Sequence, residues 1–267
     1  MTYIPEQGLD GDPWINHAIR VIKEDYGVDV SLDSKDKNLL KFGRSEQIQT
    51  TKSTIMTLPT GIYNEAYLSS NLINTMSSSS AADTHDIILE GHTVDGSGDF
   101  TFVKQTLTGN GQNQVAFTPL ARVSRAYNAN GTDLVGTHYF YETDTDTAGV
   151  PDTGIKVHMM IAAGKNNSEK SSTTLDQDTF WIVTAFHGTV LEKSDITGNF
   201  HIEFREKGSV FRELVDDGAN GKGYSAHADF APYLIIPANS DVRLRADSSL
   251  ANKEFSGWIN GVLAGII

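Results

Sequence analysis

The chain has 267 residues, of which 39% are hydrophobic and 21% are charged, a composition typical of a soluble globular protein with a hydrophobic core. The 34 acidic residues outnumber the 21 basic ones, giving a formal net charge of −13 without any lysine- or arginine-rich run, so we expect no nucleic-acid partner. Because cysteine is absent, disulfides, cysteine zinc sites and cysteine nucleophiles are excluded.

The N-terminal region contains the one clear helical pattern, which predicts a helix over about residues 13–26. Asp12 suits the N-cap, Pro13 suits the first turn, and Gly27 suits the position after the last turn. Apolar side chains with helical spacing form one stripe, which is a candidate partner-binding surface and consists of Trp14, Ile15, Ile19, Ile22 and Tyr26. A lone helix of this length is marginal in water, so it must pack either on its own chain or on a neighbouring protein.

The segments outside this helix bear on membrane association and on domain organisation. The segment before it has neither the basic nor the apolar region of a signal peptide, and the longest apolar stretch, 258–267, is too short for a membrane span. We therefore expect no membrane partner. Residues 28–45 are mixed and polar, which predicts an extended N-terminal arm over 1–45 and a β-sandwich body over 46–267.

After residue 45 the helical period gives way to short β-forming runs separated by Gly, Asn and Asp turns. These runs predict a mainly β protein with an antiparallel β-sandwich or jelly-roll-like body rather than βαβ units. Alternation within 199–206 predicts that His201, Glu203 and Arg205 face solvent. The predicted strands lie near 47–57, 86–91, 99–108, 113–118, 120–128, 135–142, 154–162, 179–191, 199–206, 209–215, 224–236, 241–246 and 254–265.

Two short motifs imitate functional sites. Ser225 and His227 could form a nucleophile–base pair, but the second glycine of a nucleophile elbow and the following helix are both missing. Residues 144–152 begin like a calcium loop, yet Ala148 and Ile155 occupy positions that need oxygen ligands. A solvated acidic loop is therefore favoured there, and calcium binding stays open. We predict no enzymatic activity, no cofactor and no metal site.

An ordered series of short motifs runs through residues 39–267. It consists of 40–44 (LKFGR), 61–63 (GIY), 77–84 (SSSSAADT), 87–91 (IILEG), 106–111 (TLTGNG), 120–127 (LARVSRAY), 233–238 (YLIIPA), 243–246 (RLRA) and 257–258 (GW). This order resembles a family of virion structural proteins of tailed bacteriophages, especially phages of aquatic bacteria. The chain departs from the family pattern at Ala82, where asparagine is usual, and in the turn at 91–96, where sequence variation costs little.

The resemblance implies a β-sandwich protein displayed on a phage particle without enzymatic activity. We expect a capsid cement or decoration protein, made in the host cytoplasm, that binds the outer head surface and stabilises capsomer contacts. Its partners would be the major capsid protein and further copies of itself, as a homotrimer. The alternative is a tail-associated host-recognition or carbohydrate-binding module, which exposed aromatics such as Trp181 or Tyr141 beside carboxylates would support.

Overall fold

The computed structural model describes residues 12–32, 38–57, 67–191, 196–220 and 224–267. Parts of the predicted arm, residues 1–11 and 33–37, lie outside these ranges. The strands, in chain order, are β1 (Val30–Ser31), β2 (Asn38–Ile48), β3 (Ser53–Thr54), β4 (Ile73–Ser78), β5 (Asp86–Val94), β6 (Phe100–Thr108), β7 (Val115–Leu120), β8 (Arg122–Asn128), β9 (His138–Glu142), β10 (Asp146–Thr147), β11 (Val150–Pro151), β12 (Val157–Ile161), β13 (Ser172–Thr174), β14 (Thr179–Val190), β15 (Thr197–Glu206), β16 (Arg212–Asn220), β17 (Ser225–Ile236), β18 (Ser240–Ser248) and β19 (Lys253–Ile266).

The first sandwich is built from two antiparallel sheets. Sheet 1 has the order β1-β19-β14-β17, with β2 also paired to β19, and sheet 2 has the order β13-β18-β15-β16, with β3 paired to β18. Their facing sides enclose one apolar core in which Trp181, Phe186, Phe200 and Phe255 are fully buried. The alternation of apolar and polar residues along each strand places these rings on the inner face.

The second sandwich is formed by the chain between β3 and β13. Sheet 3 has the order β12-β9-β4-β7 and sheet 4 has the order β6-β5-β8. Ile87, Leu89 and Phe140 are buried between them. The mainly β, antiparallel sandwich class predicted from sequence is therefore confirmed, but residues 46–267 contain two sandwiches rather than one.

The helix α1 spans Pro13–Tyr26, as predicted. Asp12 accepts hydrogen bonds from the backbone N–H groups of Trp14 and Ile15, and Gly27 ends the helix with a φ of 70°. The helix lies on the outer face of sheet 1, against Phe180. Among the described residues, no helix has the length and apolar character needed to cross a membrane.

Two sequence expectations differ from the structure. The segment expected to be a polar arm contains β2, which pairs with β19 from Asn38 to Ile48, so the predicted boundary at residue 45 falls inside a strand. The mixed composition of 38–48 does not predict this strand, because its pairing partner, β19, lies at the far end of the chain. His201 and Glu203, expected to face solvent, are only 2% and 7% exposed, because the charged face of sheet 2 is closed by its own ion pairs.

Candidate functional site

The predicted partner-binding stripe on α1 largely packs on its own chain. Ile15 and Ile22 are buried against sheet 1, and Ile19 is partly buried in the same cluster. Trp14 and Tyr26 remain 40% and 44% exposed. The ring of Tyr26 also contacts Phe180 edge-on, with centroids 5.2 Å apart. Only the two ends of the stripe are thus accessible to a partner.

The candidate pair Ser225 and His227 lies on β17, and both side chains are exposed on the outer face of sheet 1. The Nε2 atom of His227 is 3.3 Å from Oδ1 of Asp229. No hydrogen bond in the described part of the chain joins His227 to Ser225. The two residues are neighbours on one strand face, as the period-2 pattern predicts, but they are not arranged as a nucleophile and its base.

The candidate calcium segment 144–152 forms a small hairpin from β10 and β11. The carboxylate of Asp146 accepts hydrogen bonds from the backbone N–H of Gly149 at 3.0 Å and from the hydroxyl of Tyr141 at 3.2 Å. Asp152 accepts a hydrogen bond from Thr147 at 2.9 Å. These carboxylates hold the hairpin together and point to different partners, which is the arrangement of a hydrogen-bonded turn.

The aromatics named for a sugar-binding surface are both buried. Trp181 and Tyr141 have no exposed surface. Trp181 lies in the core of the first sandwich, and Tyr141 lies under the β10–β11 hairpin. Burial, together with the neighbouring carboxylate of Asp146, raises the pKa of Tyr141 to about 12, as expected for a phenol kept neutral inside the fold. Neither ring is available to a ligand.

A different set of rings lies on the open part of sheet 1, beyond the region covered by α1. The strand register places one ring from each of four strands directly opposite the next. We call this set the ring row, and it consists of Phe42, Trp258, His187 and His227. The imidazole of His187 is nearly parallel to the indole of Trp258, with centroids 5.6 Å apart, and the ring of His227 packs edge-on against the same indole.

A line of polar side chains runs beside the ring row. Side chains two residues apart on a strand point to the same face. Two residues from each member of the ring row, the register aligns four polar residues, which we call the polar row: Arg44, Ser256, Thr189 and Ser225. The hydroxyl of Thr189 is 3.3 Å from Nδ1 of His187, which links the two rows. Arg44 donates to Glu254 at 2.7 Å. An apolar ring surface therefore adjoins hydroxyl, guanidinium and carboxylate groups.

The pKa of His187, at the centre of the ring row, is set by its surroundings. Partial burial, reinforced by the neighbouring His227, lowers the pKa of His187 below its ordinary value. His187 is therefore neutral at neutral pH. A neutral imidazole beside an indole keeps the centre of the row uncharged, and the charged groups Asp229 and Arg44 lie at its margins.

The two sandwiches meet at a junction that is rich in buried charge. Arg122 of β8 donates to both carboxylate oxygens of Asp241 of β18, at 2.8 and 3.1 Å. Lys41 of β2 donates to the backbone carbonyl of Ser124 at 3.0 Å, and Lys170 donates to that of Val123 at 2.7 Å. Lys41 and Asp241 of the first sandwich thus bind the backbone and a side chain of β8, and Lys170, just before β13, binds the backbone of the same strand.

Two motifs that carry the family resemblance meet at this junction. The segment 40–44 supplies Lys41 and the segment 120–127 supplies Arg122, and each of these side chains bonds to the other sandwich. The segment 243–246 supplies Arg243, whose guanidinium pairs with Glu203 at 2.7 Å within sheet 2. The segments 40–44 and 120–127 are far apart in the chain, and the fold brings them together between the sandwiches.

Comparisons with known proteins identify no close relative. No protein-family model and no curated protein matches the sequence. Among solved structures, the chain is similar to the T13 particle of infectious bursal disease virus (IBDV), with 10% identity over 93% of this chain and 74% of that one and a TM-score of 0.25. It is also similar to the tandem CBM22 domains of Xyn10C from Paenibacillus barcinonensis, with 11% identity over 89% and 90% of the chains and a TM-score of 0.23.

The major capsid protein P2 of bacteriophage PM2 is a further structural match, with 14% identity over 86% of this chain and 98% of that one. Its TM-score is 0.20. At these TM-scores none of the three likenesses carries an argument about the function of this chain.

Proposed function

We propose that this chain is a non-enzymatic structural component of a tailed-phage particle, located on the outer capsid surface as a cement or decoration protein. The observation that supports this proposal is that two of the resemblance motifs, 40–44 and 120–127, meet at the junction between the sandwiches. The motifs that resemble the phage family would then help to join the two sandwiches into one body. A protein that bridges capsomers needs such a body, because a loose connection between its parts would not resist their separation.

In this proposal the partners are the major capsid protein and further copies of the same chain. A homotrimer would match a local threefold position on a capsid. Of the predicted helix stripe, Trp14 and Tyr26 are the residues left accessible for such contacts. Sedimentation equilibrium of the purified protein tests the self-association directly, since a trimer has three times the 29.1 kDa chain mass.

The copy number of the chain in purified particles of the phage that encodes it tests the proposal. Quantitative mass spectrometry against the major capsid protein should find hundreds of copies per particle if the chain covers the head. A few to a few dozen copies would place it on the tail. Its absence from particles would overturn the virion assignment altogether.

A second candidate function, binding of carbohydrate on a host surface, is favoured by the ring row and the polar row. In sugar-binding sites, aromatic rings contact the C–H faces of the sugar, and polar side chains form hydrogen bonds with its hydroxyl groups. Such a combination of apolar surface and a few polar groups is typical of small-molecule sites. The outer rings of the row, Phe42 and His227, are the more exposed ones. The row is open on the same face as four polar side chains.

The two accessible tryptophans provide a matched test of this second function. On an array of bacterial surface glycans, Trp258→Ala should lower binding at least tenfold, since aromatic anchors carry much of the energy of such contacts. Trp14→Ala removes a ring of the same kind from α1 and should leave binding unchanged. Equal binding by the wild type and Trp258→Ala would eliminate the ring row as a sugar site.

A further inference from the structure

The charged face of sheet 2 contains a cluster that neither the phage resemblance nor the ring row explains. His201 of β15 lies between Glu213 and Asp216 of β16 on one side and Asp247 of β18 on the other. The imidazole is 2% exposed. Three carboxylates thus surround a buried histidine on a protein face that is otherwise closed by arginine–carboxylate pairs.

A β-bulge brings the two carboxylates of β16 to the same side. Residues three apart in a regular strand point to opposite faces. Here the register between β15 and β16 shifts between Ile202 and Glu203, so that Asp216 faces His201 and Glu213 faces Glu203. The extra residue in β16 turns Glu213 onto the face that carries His201. Bulges often redirect a side chain in this way near functional sites.

The two ring nitrogens of His201 have different environments. Nε2 is 2.8 Å from Oδ2 of Asp247, and the other oxygen of that carboxylate accepts a hydrogen bond from Asn199 at 3.0 Å. Nδ1 is 3.0 Å from Oε2 of Glu213 and 3.3 Å from Oδ1 of Asp216. Neither of these two contacts has hydrogen-bond direction, so Nδ1 is a buried nitrogen without a hydrogen-bond partner.

This pattern is that of a metal-ligating histidine. A carboxylate that accepts the N–H of one ring nitrogen fixes the tautomer that leaves a lone pair on the other nitrogen, and such carboxylate–histidine pairs recur around bound metals. Ligands at about 2.0–2.1 Å from a tetrahedral zinc ion lie roughly 3.3 Å apart. The separations of 3.0 and 3.3 Å from Nδ1 to the two carboxylate oxygens fit that spacing.

The charge of the cluster also fits a divalent cation. Glu213, Asp216 and Asp247 contribute three negative charges, and Lys52, which donates to Glu213, contributes one positive charge. The carboxylates around His201 thus carry an excess of negative charge, which a bound divalent cation would reduce.

We propose that His201 Nδ1, Glu213 and Asp216 form a binding site for a divalent transition-metal cation, with zinc as the best-matching ion and Asp247 as the residue that orients the histidine. One imidazole and two carboxylates are ligands that zinc accepts. The ion would connect β15 to β16, which is the outermost strand of sheet 2. It would therefore stabilise the edge strand β16, which pairs with only one neighbouring strand in the sheet, β15.

Zinc binding to the full chain, first freed of metal with EDTA, tests the site. Isothermal titration with ZnCl₂ should give one ion per chain, and the thermal unfolding midpoint should rise when zinc is added. Asp216→Asn and His201→Gln should each weaken binding at least tenfold. Asp247→Asn should weaken it roughly 10–100-fold, the usual effect of losing a residue that orients a ligand.

Asp217→Asn is the matched control, since Asp217 is the next residue on β16, points away from Asp216 and undergoes the same change of charge. It should bind zinc like the wild type. Asp216 has an exposed side chain, so Asp216→Asn is expected to fold even if His201→Gln does not. The proposal is overturned if zinc does not bind, or if Asp216→Asn and Asp217→Asn bind it equally.

Discussion

Arg122 and Asp241 form a two-point ion pair between the two sandwiches, with N···O distances of 2.8 and 3.1 Å. Their side chains are only 9% and 2% exposed. Arg205 supplies a second guanidinium to the same carboxylate at 2.5 Å, and Thr174 donates a hydroxyl at 2.7 Å. Asp241 is thus the centre of a buried network, and removing Arg122 leaves its charge only partly compensated by Arg205 and Thr174.

Replacing Arg122 with methionine should therefore destabilise the protein strongly. Breaking a buried pair by removing one partner costs about 3–5 kcal/mol, and we expect the lower end because Arg205 remains. Urea unfolding gives the free energy. Arg20→Met is the control, since Arg20 pairs with Glu24 on the exposed face of α1 and such pairs contribute about 0–1 kcal/mol. Equal effects of the two substitutions would contradict the importance of the junction.

The same network predicts a loss of stability in acid. Burial alone would raise the pKa of Asp241, but the hydrogen bonds and charges of Arg122 and Arg205 outweigh it and hold that pKa below its ordinary value. Because the folded-state pKa is depressed, the stabilisation is present above the unfolded value near 3.9 and is lost as the pH falls through the folded value. Unfolding free energies measured from pH 7 to pH 3 should fall less steeply in Asp241→Asn than in the wild type.

Lys41 predicts a second rise of stability with pH, in a more alkaline window. Burial, with the neighbouring charge of Lys170, lowers the pKa of Lys41 to about 7. Between that pH and about 10.4 the unfolded chain binds the extra proton and the folded chain does not. The contribution of Lys41 to the free energy of unfolding therefore rises by about 1.4 kcal/mol per pH unit in this window.

The variant Lys41→Met isolates this contribution. The stability of the wild type relative to Lys41→Met should increase from pH 7 to pH 9.5, as measured by urea unfolding at each pH. Lys156→Met, which removes a half-exposed ammonium near Glu142, should give a curve parallel to the wild type. A Lys41→Met curve that also runs parallel to the wild type would show that the folded protein holds Lys41 in its charged form.

Local signals allowed much of the fold to be predicted. The helix is marked by Asp12, Pro13 and Gly27, all within one short segment, and its bounds agree with the prediction. Most strands from β5 onward lie where alternation and turns predict them, because both signals act within a few residues. The strands β1, β3, β10 and β11 have only two residues each, too few to show the alternation of apolar and polar residues that predicts a strand.

The candidate sites depend on register, which the sequence does not display. Phe42 and Trp258 come from opposite ends of the chain and become neighbours only through the pairing of β2 with β19. Glu213 joins His201 through a bulge that breaks the expected alternation. Alternation alone predicts a solvated face for His201, because it shows that a side chain points away from the core but not what covers that side chain on the other face.

Adding a single methyl group at Gly149 should lower the stability of the protein strongly. Its φ is 74°, and a Cβ atom there would lie 1.9 Å from the carbonyl oxygen of Ser78. Gly154 has a φ of 95° and no atom within 4 Å of the same position. Gly154→Ala thus introduces backbone strain alone, about 1–2 kcal/mol, whereas Gly149→Ala should cost roughly 1–3 kcal/mol more for the clash. Chemical denaturation of both variants provides the comparison, and equal losses would mean that the β10–β11 hairpin can lift away from β4.

The last prediction distinguishes the two roles considered for α1. Ile22 has no exposed surface and lies in the cluster that joins the helix to sheet 1, and Asp12, the N-cap, accepts a hydrogen bond from the hydroxyl of Tyr233 at 2.8 Å. Burial and this bond raise the pKa of Tyr233 to about 12. If the helix is docked in the isolated chain, Ile22→Ala should destabilise it by about 2–5 kcal/mol.

Ile19→Ala serves as the control, because Ile19 is only partly buried on the same helix, and it should cost clearly less. A free arm that folds onto a capsid partner gives a different result. In that case Ile22→Ala would leave the unfolding free energy of the isolated chain unchanged and would weaken only its binding to particles. The packing of α1 on sheet 1 predicts the first outcome, so any capsid contact made by this helix should depend on Trp14 and Tyr26.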